Sequence, residues 1–163
     1  MKAVLRDYTG ADQARVDALA LQSWEQYRDH YDDWPAIGAR IGAMSALAAS
    51  GEIIVATVDD HIEGAVAYVG PGKPKAEMFK PEWPIMRMLV VAPAARGMGL
   101  GRALAQECMR RARRDQARVF ALHTSDMMTV ALPMYLRMGF EYAGPAPAIG
   151  GVPYSIYLKQ LHP

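Results

Sequence analysis

The feature that most constrains this fold is an apolar run that leads directly into a glycine-rich turn. Residues 85–92 read Ile-Met-Arg-Met-Leu-Val-Val-Ala, Pro93 follows, and a turn with three glycines occupies residues 96–101. A strand this apolar is typically buried on both faces, as in a sheet that helices cover. Apolar residues then recur at helical spacing over residues 99–114. The sequence therefore predicts a strand, a turn and a helix within an α/β domain.

Further strands and helices are predicted on both sides of this unit. Alternating or continuous apolar runs predict strands at 2–7, 52–58, 64–69, 119–122, 140–143 and 154–158. Helical spacing predicts helices at 11–28 and 36–49, and a last helix that Ser125 or Asp126 caps and Gly139 ends. The segments 71–84 and 144–153 are predicted to be loops. We therefore expect one α/β domain over residues 1–163, with a mixed sheet of about six to seven strands and four helices.

Composition excludes several classes of function. The 163 residues carry a formal net charge of +1, which gives no electrostatic footprint for nucleic acid. Cys108 is the single cysteine and the four histidines are scattered, so neither a disulfide nor a metal site is expected. No apolar stretch is long enough to span a membrane, and charges interrupt the N-terminus before a signal peptide could form. We expect a cytoplasmic protein with neither membrane nor nucleic-acid partner.

The glycine-rich turn has the properties of a phosphate-binding site. Unpaired N–H groups and the positive end of a dipole meet at a helix N-terminus, and glycine lets a ligand approach the backbone. A G-x-G-x-x-G motif would need glycine at Arg102 or Leu104, and a P-loop would need Gly-Lys followed by Ser or Thr. The spacing present is Arg-x-x-Gly-x-Gly, at Arg96, Gly99 and Gly101. The alternative is a turn that only packs the helix on the strand.

Two blocks of sequence carry a family resemblance. The strand end Leu89–Pro93 reads Leu-x-Val-x-Pro, and together with the glycine spacing it resembles the pyrophosphate-binding motif of the GNAT superfamily of N-acetyltransferases. The segment Tyr135–Phe140 resembles the Tyr-x-x-x-Gly-Phe block of the same family, and Ala131 stands where that family often has alanine. The resemblance implies acetyl-coenzyme A as acetyl donor, an amine as acceptor, and an N-acyltransferase-like sheet splayed between its fourth and fifth strands.

The resemblance also implies which residues hold the cofactor. The pantetheine arm would lie in the splay and pair with the fourth strand at Leu89, Val90 and Val91. The residues implied to hold the pyrophosphate are Arg96, Gly97, Met98, Gly99, Leu100, Gly101 and Arg102. An asparagine that bonds the pantetheine arm in the family is replaced by Met128. The basic cluster at residues 110–114 is best interpreted as a solvated helix face, with the 3′-phosphate of the cofactor as the alternative.

Three chemical tasks follow from attack of an amine on a thioester. Tyr135 is our candidate to give a proton to the departing thiolate, because a thiol titrates at about pH 8.5 and a phenol at about pH 10. The backbone N–H near Val90 or Val91 is the implied oxyanion donor. The family's strand glutamate is absent, and the base stays open among water and the side chains of Glu82, Glu25, His30, Asp32, Asp33 and His123. Pro133 is expected to kink the helix that carries Tyr135.

Aromatic and acidic residues between Trp24 and Trp34 suggest the acceptor. Carboxylates and aromatic faces suit a cation, so a small cationic amine is favoured, with Glu25, Tyr31, Asp32 and His123 as acceptor-binding residues. A peptide or protein amine is the alternative, with the 71–84 segment as one wall of a groove. A sensor that binds acyl-coenzyme A without turnover is a third possibility. A homodimer remains open.

Overall fold

Seven strands form one mixed sheet in the computed structural model, which describes residues 3–162. The strands are β1 (Ala3–Asp7), β2 (Glu52–Val58), β3 (His61–Val69), β4 (Ile85–Val91), β5 (Val119–Thr124), β6 (Glu141–Ile149) and β7 (Val152–Gln160). The α-helices are α1 (Gln13–Trp24), α2 (Trp34–Ile41), α3 (Leu100–Arg114) and α4 (Ala131–Arg137). Across the sheet the order is β1-β2-β3-β4-β5-β7-β6. The predicted α/β fold with four helices is confirmed for these residues.

The ends of two predicted units lie outside the described residues. The predicted domain includes residues 1, 2 and 163, and the predicted first strand includes residue 2. Within the described chain, the first strand pairs antiparallel with β2, from Ala3 opposite Val58 to Asp7 opposite Ile54.

The two N-terminal helices are shorter than predicted. The helix predicted over 11–28 forms α1, and a 3-10 helix at Glu25–His30 extends it. The helix predicted over 36–49 begins earlier, because the Asp33 side chain accepts a hydrogen bond from the N–H of Ala36, and it ends at Ile41. A separate 3-10 helix follows at Met44–Ala49.

The prediction of a loop over 144–153 is wrong. Residues 144–149 continue β6, and β7 begins at Val152, so the segment is the tip of a hairpin. The prediction took the prolines of this segment as evidence for a loop. Proline is excluded only from the parts of a strand that are paired on both sides, however, so it can occur in an edge strand. Strand β6 lies at the edge of the sheet, and Gly150 and Gly151 make the turn with φ values of 52° and 79°.

The last helix also begins later than predicted. Ser125 opens a turn in which its carbonyl accepts from the N–H of Met128, and α4 starts only at Ala131. Pro133 therefore lies in the first helical turn, where its missing N–H has no intrahelical acceptor in any case, and the expected kink is not needed. Gly139 ends the helix with φ 97°, as predicted.

Strands β4 and β5 touch at one end and then part. Within the described residues they share a single parallel pair, Ile85 opposite Ala121, supported by the N–H of Ala121 donating to the carbonyl of Pro84 at 3.1 Å. Past this point β4 stays with β3, while β5 pairs with β7 over its whole length. The predicted splay between the fourth and fifth strands is therefore present.

A bulge interrupts β4 in the middle of the splay. Ala65 lies opposite Val90 and Ala67 opposite Arg87, so two residues of β4 face a single residue of β3. Met88 lies in the bulge with φ 57°. A bulge bends its strand and leaves the extra residue without a partner in the ladder, which turns the middle of β4 toward the opening.

The helices are fastened to the sheet by apolar contacts and by one ion-pair network. Leu104, Cys108 and Ala112 of α3 are fully buried, so the prediction that Cys108 is a core residue is confirmed. Near the C-terminal end of α3, Arg111 donates to Asp7, Glu52 and Glu107 at 2.7–2.9 Å. Its side chain is 10% exposed. Arg111 therefore ties three elements of the fold together.

The other arginines of the basic cluster at residues 110–114 lie on a solvated face of α3, which was the favoured interpretation of the cluster. Arg110 pairs with Glu107 at 2.6 Å, and Arg114 pairs with Glu52 and Asp115. Arg113 is exposed. None of these four arginines lines the cavity described below. Among the described residues, no helix has the length and apolar character needed to cross a membrane.

Replacing Arg111 by alanine is expected to lower the free energy of unfolding by about 2 kcal/mol, because it removes a nearly buried cation with three carboxylate partners. For a domain of this size that is a fall in Tm of about 4–8 °C. The exposed Arg113, replaced by alanine, is the matched control and should change Tm by less than about 1–2 °C. Equal shifts for the two variants would contradict the assigned role.

The same variant has a pH signature. Arg110, and with it Arg111, lowers the pKa of Glu107 from 4.5 to about 2. A carboxyl group whose pKa is lowered by folding stabilises the native state above its unfolded pKa, and that stabilisation is lost as pH falls toward the folded pKa. The difference in Tm between wild type and Arg111→Ala should therefore shrink as pH falls below about 4.5.

Candidate functional site

A cavity of about 780 Å³ occupies the opening between β4 and β5. Its walls come from the C-terminal end of α1 and the segment after it, from α2, from β4 and the glycine-rich turn, and from β5 and α4. The parting of the two strands creates this space, and the helices on either side close it. The sequence motifs singled out above therefore meet at one place.

The glycine-rich turn lies at one end of the cavity and begins α3. Gly97 and Gly99 adopt φ values of 83° and 80°, which favour glycine. The first backbone bond of the helix runs from the N–H of Ala103 to the carbonyl of Gly99 at 3.0 Å. No backbone acceptor is recorded for the N–H groups of residues 97–102, which lie within the described chain. Six consecutive amides are thus free for a ligand.

The surroundings of these amides fit a pyrophosphate. A Cβ added at Gly97 or Gly99 would meet no atom within 4 Å, so the space beside them is open. A Cβ at Gly101 would reach Val91, Leu89 and Met134 at 3.8–4.0 Å, on the cavity side.

Two cations flank the same amides. Arg96 and Arg102 line the cavity, and within residues 3–162 neither side chain has a carboxylate partner. A helix N-terminus beside unpaired guanidinium groups is a site for a multiply charged anion.

The fourth strand offers its backbone to the opening. The N–H of Ala92 donates to Glu63 in β3 at 2.8 Å, and in an antiparallel ladder alternate residues point their polar groups to opposite sides. The N–H and carbonyl of Val91 therefore face the splay, whereas those of Val90 face β3. Leu89 and Val91 line the cavity, while Val90 is buried in the core and Met98 lies outside the lining.

Tyr135 reaches the cavity from α4. Its side chain is 6% exposed, and its ring packs edge-on against Phe140 with centroids 5.9 Å apart. Burial raises the pKa of Tyr135 well above that of a free phenol. The hydroxyl stays protonated at neutral pH, and no hydrogen-bond partner for it is recorded among the described residues. Tyr135 thus presents a protonated phenol beside the cavity.

The other half of the cavity is aromatic. The Nε1–H of Trp24 donates to the hydroxyl of Tyr31 at 3.2 Å, and that hydroxyl shares a short hydrogen bond with the hydroxyl of Tyr154. The ring of His123 lies 5.2 Å from that of Tyr154 and 5.8 Å from that of Phe79. Tyr31 and His123, which were predicted to bind the acceptor, both line the cavity.

His123 is an uncharged group in this half of the site. Burial, and then the positive charge of Arg87, lower the pKa of His123 to about 4. Its Nδ1 atom is buried and has no hydrogen-bond partner among the residues that the structure describes. The imidazole is therefore neutral at pH 7 and adds no positive charge to the cavity.

The structure places the two predicted acceptor-binding carboxylates away from the cavity. Glu25 is exposed and pairs with Arg28 at 3.1 Å. Asp32 is exposed beside the turn of the last hairpin, where its N–H donates to the carbonyl of Gly150 at 2.7 Å. The remaining candidate bases, His30, Asp33 and Glu82, also lie outside the lining.

The 71–84 segment forms no wall of the cavity. Phe79 is 4% exposed and packs in a small apolar cluster with Val69, Ile85 and Ala121. Lys75 donates to three backbone carbonyls within 3.1 Å and so holds the segment in shape. This segment covers the closed end of the splay, and its residues are not part of the lining.

Sequence analysis missed three arginines of the cavity. Arg40 reaches it from α2, Arg87 from β4 and Arg137 from α4. A signal was present for Arg87, because it is the single charged residue in the apolar run 85–92. A charge in a buried strand calls for either a partner or a ligand.

The described residues that line the cavity include no aspartate or glutamate. In the same part of the chain, no three metal-binding side chains come together. The chemistry of the cavity therefore rests on backbone amides, arginines, tyrosines and one neutral histidine.

Known structures share this fold over nearly the whole chain. A GCN5-related N-acetyltransferase from Rhodopseudomonas palustris is 19% identical with a TM-score of 0.75, over 99% of this chain and 97% of that one. yncA from Salmonella typhimurium, solved with its cofactor acetyl-CoA, is 18% identical with a TM-score of 0.71, over 100% and 96%. A ribosomal-protein-alanine N-acetyltransferase from Brucella melitensis is 22% identical with a TM-score of 0.70, over 97% and 99%.

Sequence comparison identifies the family. No curated protein matches this chain, and identities this low to solved structures show the fold alone. Residues 14–140, however, match the sequence profile of the Acetyltransferase (GNAT) family. The match runs from α1 through the glycine-rich turn to the end of the Tyr135 block. The chain therefore belongs to the GNAT family of acetyltransferases, for which acetyl-CoA is the acetyl donor.

Proposed function

We propose that this protein transfers the acetyl group of acetyl-CoA directly to the amine of a small acceptor, with both substrates bound in the one cavity. The observation that carries the proposal is the row of free amides at residues 97–102 at one end of the space where Tyr135 lies. Phosphates held at that end would extend the pantetheine arm along β4, where Val91 offers backbone partners. The thioester would then lie beside the phenol of Tyr135.

Tyr135 completes the transfer by controlling one proton. As the amine nitrogen bonds to the acetyl carbon, it gives up one proton to water, the bond from that carbon to sulfur breaks and the sulfur takes the electron pair. The phenol is protonated at neutral pH, so it donates a hydrogen bond to the sulfur and passes its proton to it as the negative charge develops. Tyr135 recovers the proton from solvent when coenzyme A leaves.

The acceptor enters as the free amine. No carboxylate lines the described cavity to hold an ammonium ion, and burial beside guanidinium groups lowers the pKa of an ammonium group. Deprotonation in solvent before binding therefore replaces a dedicated side-chain base. This accounts for the absence of the strand glutamate without assigning its role to an exposed acid.

The preference for a cationic acceptor keeps only part of its support in this geometry. It rested on aromatic faces and on carboxylates; Trp24, Tyr27 and Tyr31 line the cavity, but Glu25 and Asp32 lie outside it. The peptide alternative depended on the 71–84 segment as a groove wall, and that segment packs elsewhere. The third possibility, a sensor without turnover, differs from the proposal in the role of Tyr135 and is tested below.

Replacing Gly101 by alanine is expected to weaken acetyl-CoA binding at least about tenfold, because the added methyl group stands where the cofactor approaches the backbone. The methyl group meets protein atoms only at ordinary contact distances, so Tm without ligand should change little. Titration calorimetry with acetyl-CoA measures the effect. Gly10→Ala, whose added methyl group meets no atom within 4 Å, is the control and should bind normally.

Replacing Tyr135 by phenylalanine is expected to lower kcat about a hundredfold, while the dissociation constant of acetyl-CoA changes less than about twofold, because packing against Phe140 is kept. Release of free coenzyme A thiol measures turnover. Tyr142→Phe, at a tyrosine 62% exposed, controls for the substitution and should keep full activity. A sensor would show little turnover in wild type and no loss in the Tyr135 variant.

The pH profile tests the missing base. Because His123 has a pKa of about 4, it does not titrate between about pH 6 and pH 9, and log kcat/KM should rise with pH at a slope near one. The rise in log kcat/KM should level off at the pKa of the acceptor amine. The pH at which it levels off should change when an acceptor with a different amine pKa is used. A rise that levels off at the same pH for both acceptors would show a side-chain base instead.

A further inference from the structure

The cavity is lined by unpaired positive charge. Its arginines are Arg40, Arg87, Arg96, Arg102 and Arg137. As noted above, none of the lining residues in the described chain is an aspartate or a glutamate. The whole chain has a net charge of only +1, so the cations are concentrated at this site rather than spread over the protein. An anion is the ligand that such a wall attracts.

Four of the five arginines fall into two groups, one near each end of β4. Arg96 and Arg102 flank the glycine-rich turn that follows the C-terminal end of the strand, where the phosphates of the cofactor would lie. Arg87 lies before the bulge, two residues ahead of Leu89, on the other side of the stretch assigned to the pantetheine arm. The second group, Arg87 with Arg40, is therefore on the acceptor side of the cavity.

Arg87 is held at an electrostatic cost. Burial, and then the positive charge of Arg40, lower the pKa of Arg87. The group remains a cation, since arginine does not lose its proton in proteins. Within residues 3–162 its guanidinium has neither a hydrogen-bond acceptor nor a carboxylate partner. Arg111, which is also largely buried, has three carboxylate partners.

Among the described residues that line the cavity, no anionic side chain balances the charge of Arg87. His123, which its field reaches, is neutral and supplies no anion. The aromatic groups nearby contribute hydroxyls, those of Tyr31 and Tyr154, which bond to each other. A half-buried, unpaired guanidinium next to another guanidinium is expected where a bound anion will complete it.

We propose that the acceptor carries an oxyanion, a carboxylate or a phosphate, in addition to its amine, and that Arg87 and Arg40 bind this oxyanion. The proposal rests on the acetyl transfer proposed above and names the class of its acceptor. With the oxyanion at Arg87, the amine of a short molecule such as an α-amino acid points along β4 toward Leu89 and the thioester. The planar guanidinium fork of arginine matches both oxyanions.

The test compares matched acceptors. Coenzyme A release from acetyl-CoA is measured with the common α-amino acids, the same compounds as amides, the amines that lack the carboxyl group, and the aminophosphonate analogues. We expect kcat/KM for the acids or the phosphonates to exceed that of the amides and plain amines about 10- to 100-fold. The ratio of acids to phosphonates tells which oxyanion is preferred.

Arg87→Met assigns the preference to this site. It should remove the advantage of the anionic acceptors, so that the ratio of their kcat/KM to that of the amides and plain amines falls to within about twofold of one. Because the wild-type charge is unpaired, Tm without ligand should stay equal or rise in this variant, whereas loss of a structural ion pair would lower it. Arg118→Met, at an exposed arginine outside the cavity, should match wild type in every assay.

Binding gives a readout that does not need turnover. The Tm of the protein saturated with coenzyme A is measured with each acceptor class, and the anionic class should raise it in wild type but not in Arg87→Met. If amides and plain amines perform as well as the anionic compounds in both assays, the proposal is wrong. If acetyl-CoA alone fails to raise Tm, the acetyl transfer itself is wrong, which separates the two failures.

Discussion

The parting of β4 from β5 is the constraint on which the rest of the site depends. One parallel pair, Ile85 with Ala121, joins these strands in the described register, and the bulge at Met88 turns β4 further toward the gap. Backbone groups left without a strand partner need hydrogen bonds from another source. The gap therefore suits an extended ligand with amide groups, and the glycine-rich turn lies where β4 ends, so the gap and the turn follow one another along a single strand.

Charge is used in two ways in this molecule. On the outer end of α3, Arg111 meets three carboxylates and fastens the helix to β1 and β2. In the cavity, Arg40 and Arg87 meet none that the structure describes. Arg111 and Arg87 are both at least partly removed from solvent, but only the first arrangement is complete in the protein alone. The second arrangement is completed by an anionic ligand. The unpaired charges of the cavity therefore indicate that one of its substrates is an anion.

Most of the fold followed from local sequence patterns. The strand at 52–58, the helix at 99–114 and the role of Gly139 depend on residues that are neighbours in the chain, and these predictions agree with the structure within a residue or two. The failures have a common cause. The 144–153 segment is strand because it lies at a sheet edge, and Pro133 is tolerated because α4 starts late. Both depend on where neighbouring elements lie, which proline content does not reveal.

The sequence by itself determined the glycine-rich turn at 96–101 and the block that carries Tyr135, because both are continuous motifs whose backbone conformation is local. Only the tertiary structure decided which charged side chains line the cavity. Arg40 and Arg87 are far apart in the chain and come together across the cavity, while Glu25 and Asp32 lie nearby in sequence and turn outward. Whether a charge is paired or free depends on packing between distant segments, and no spacing within one segment encodes it.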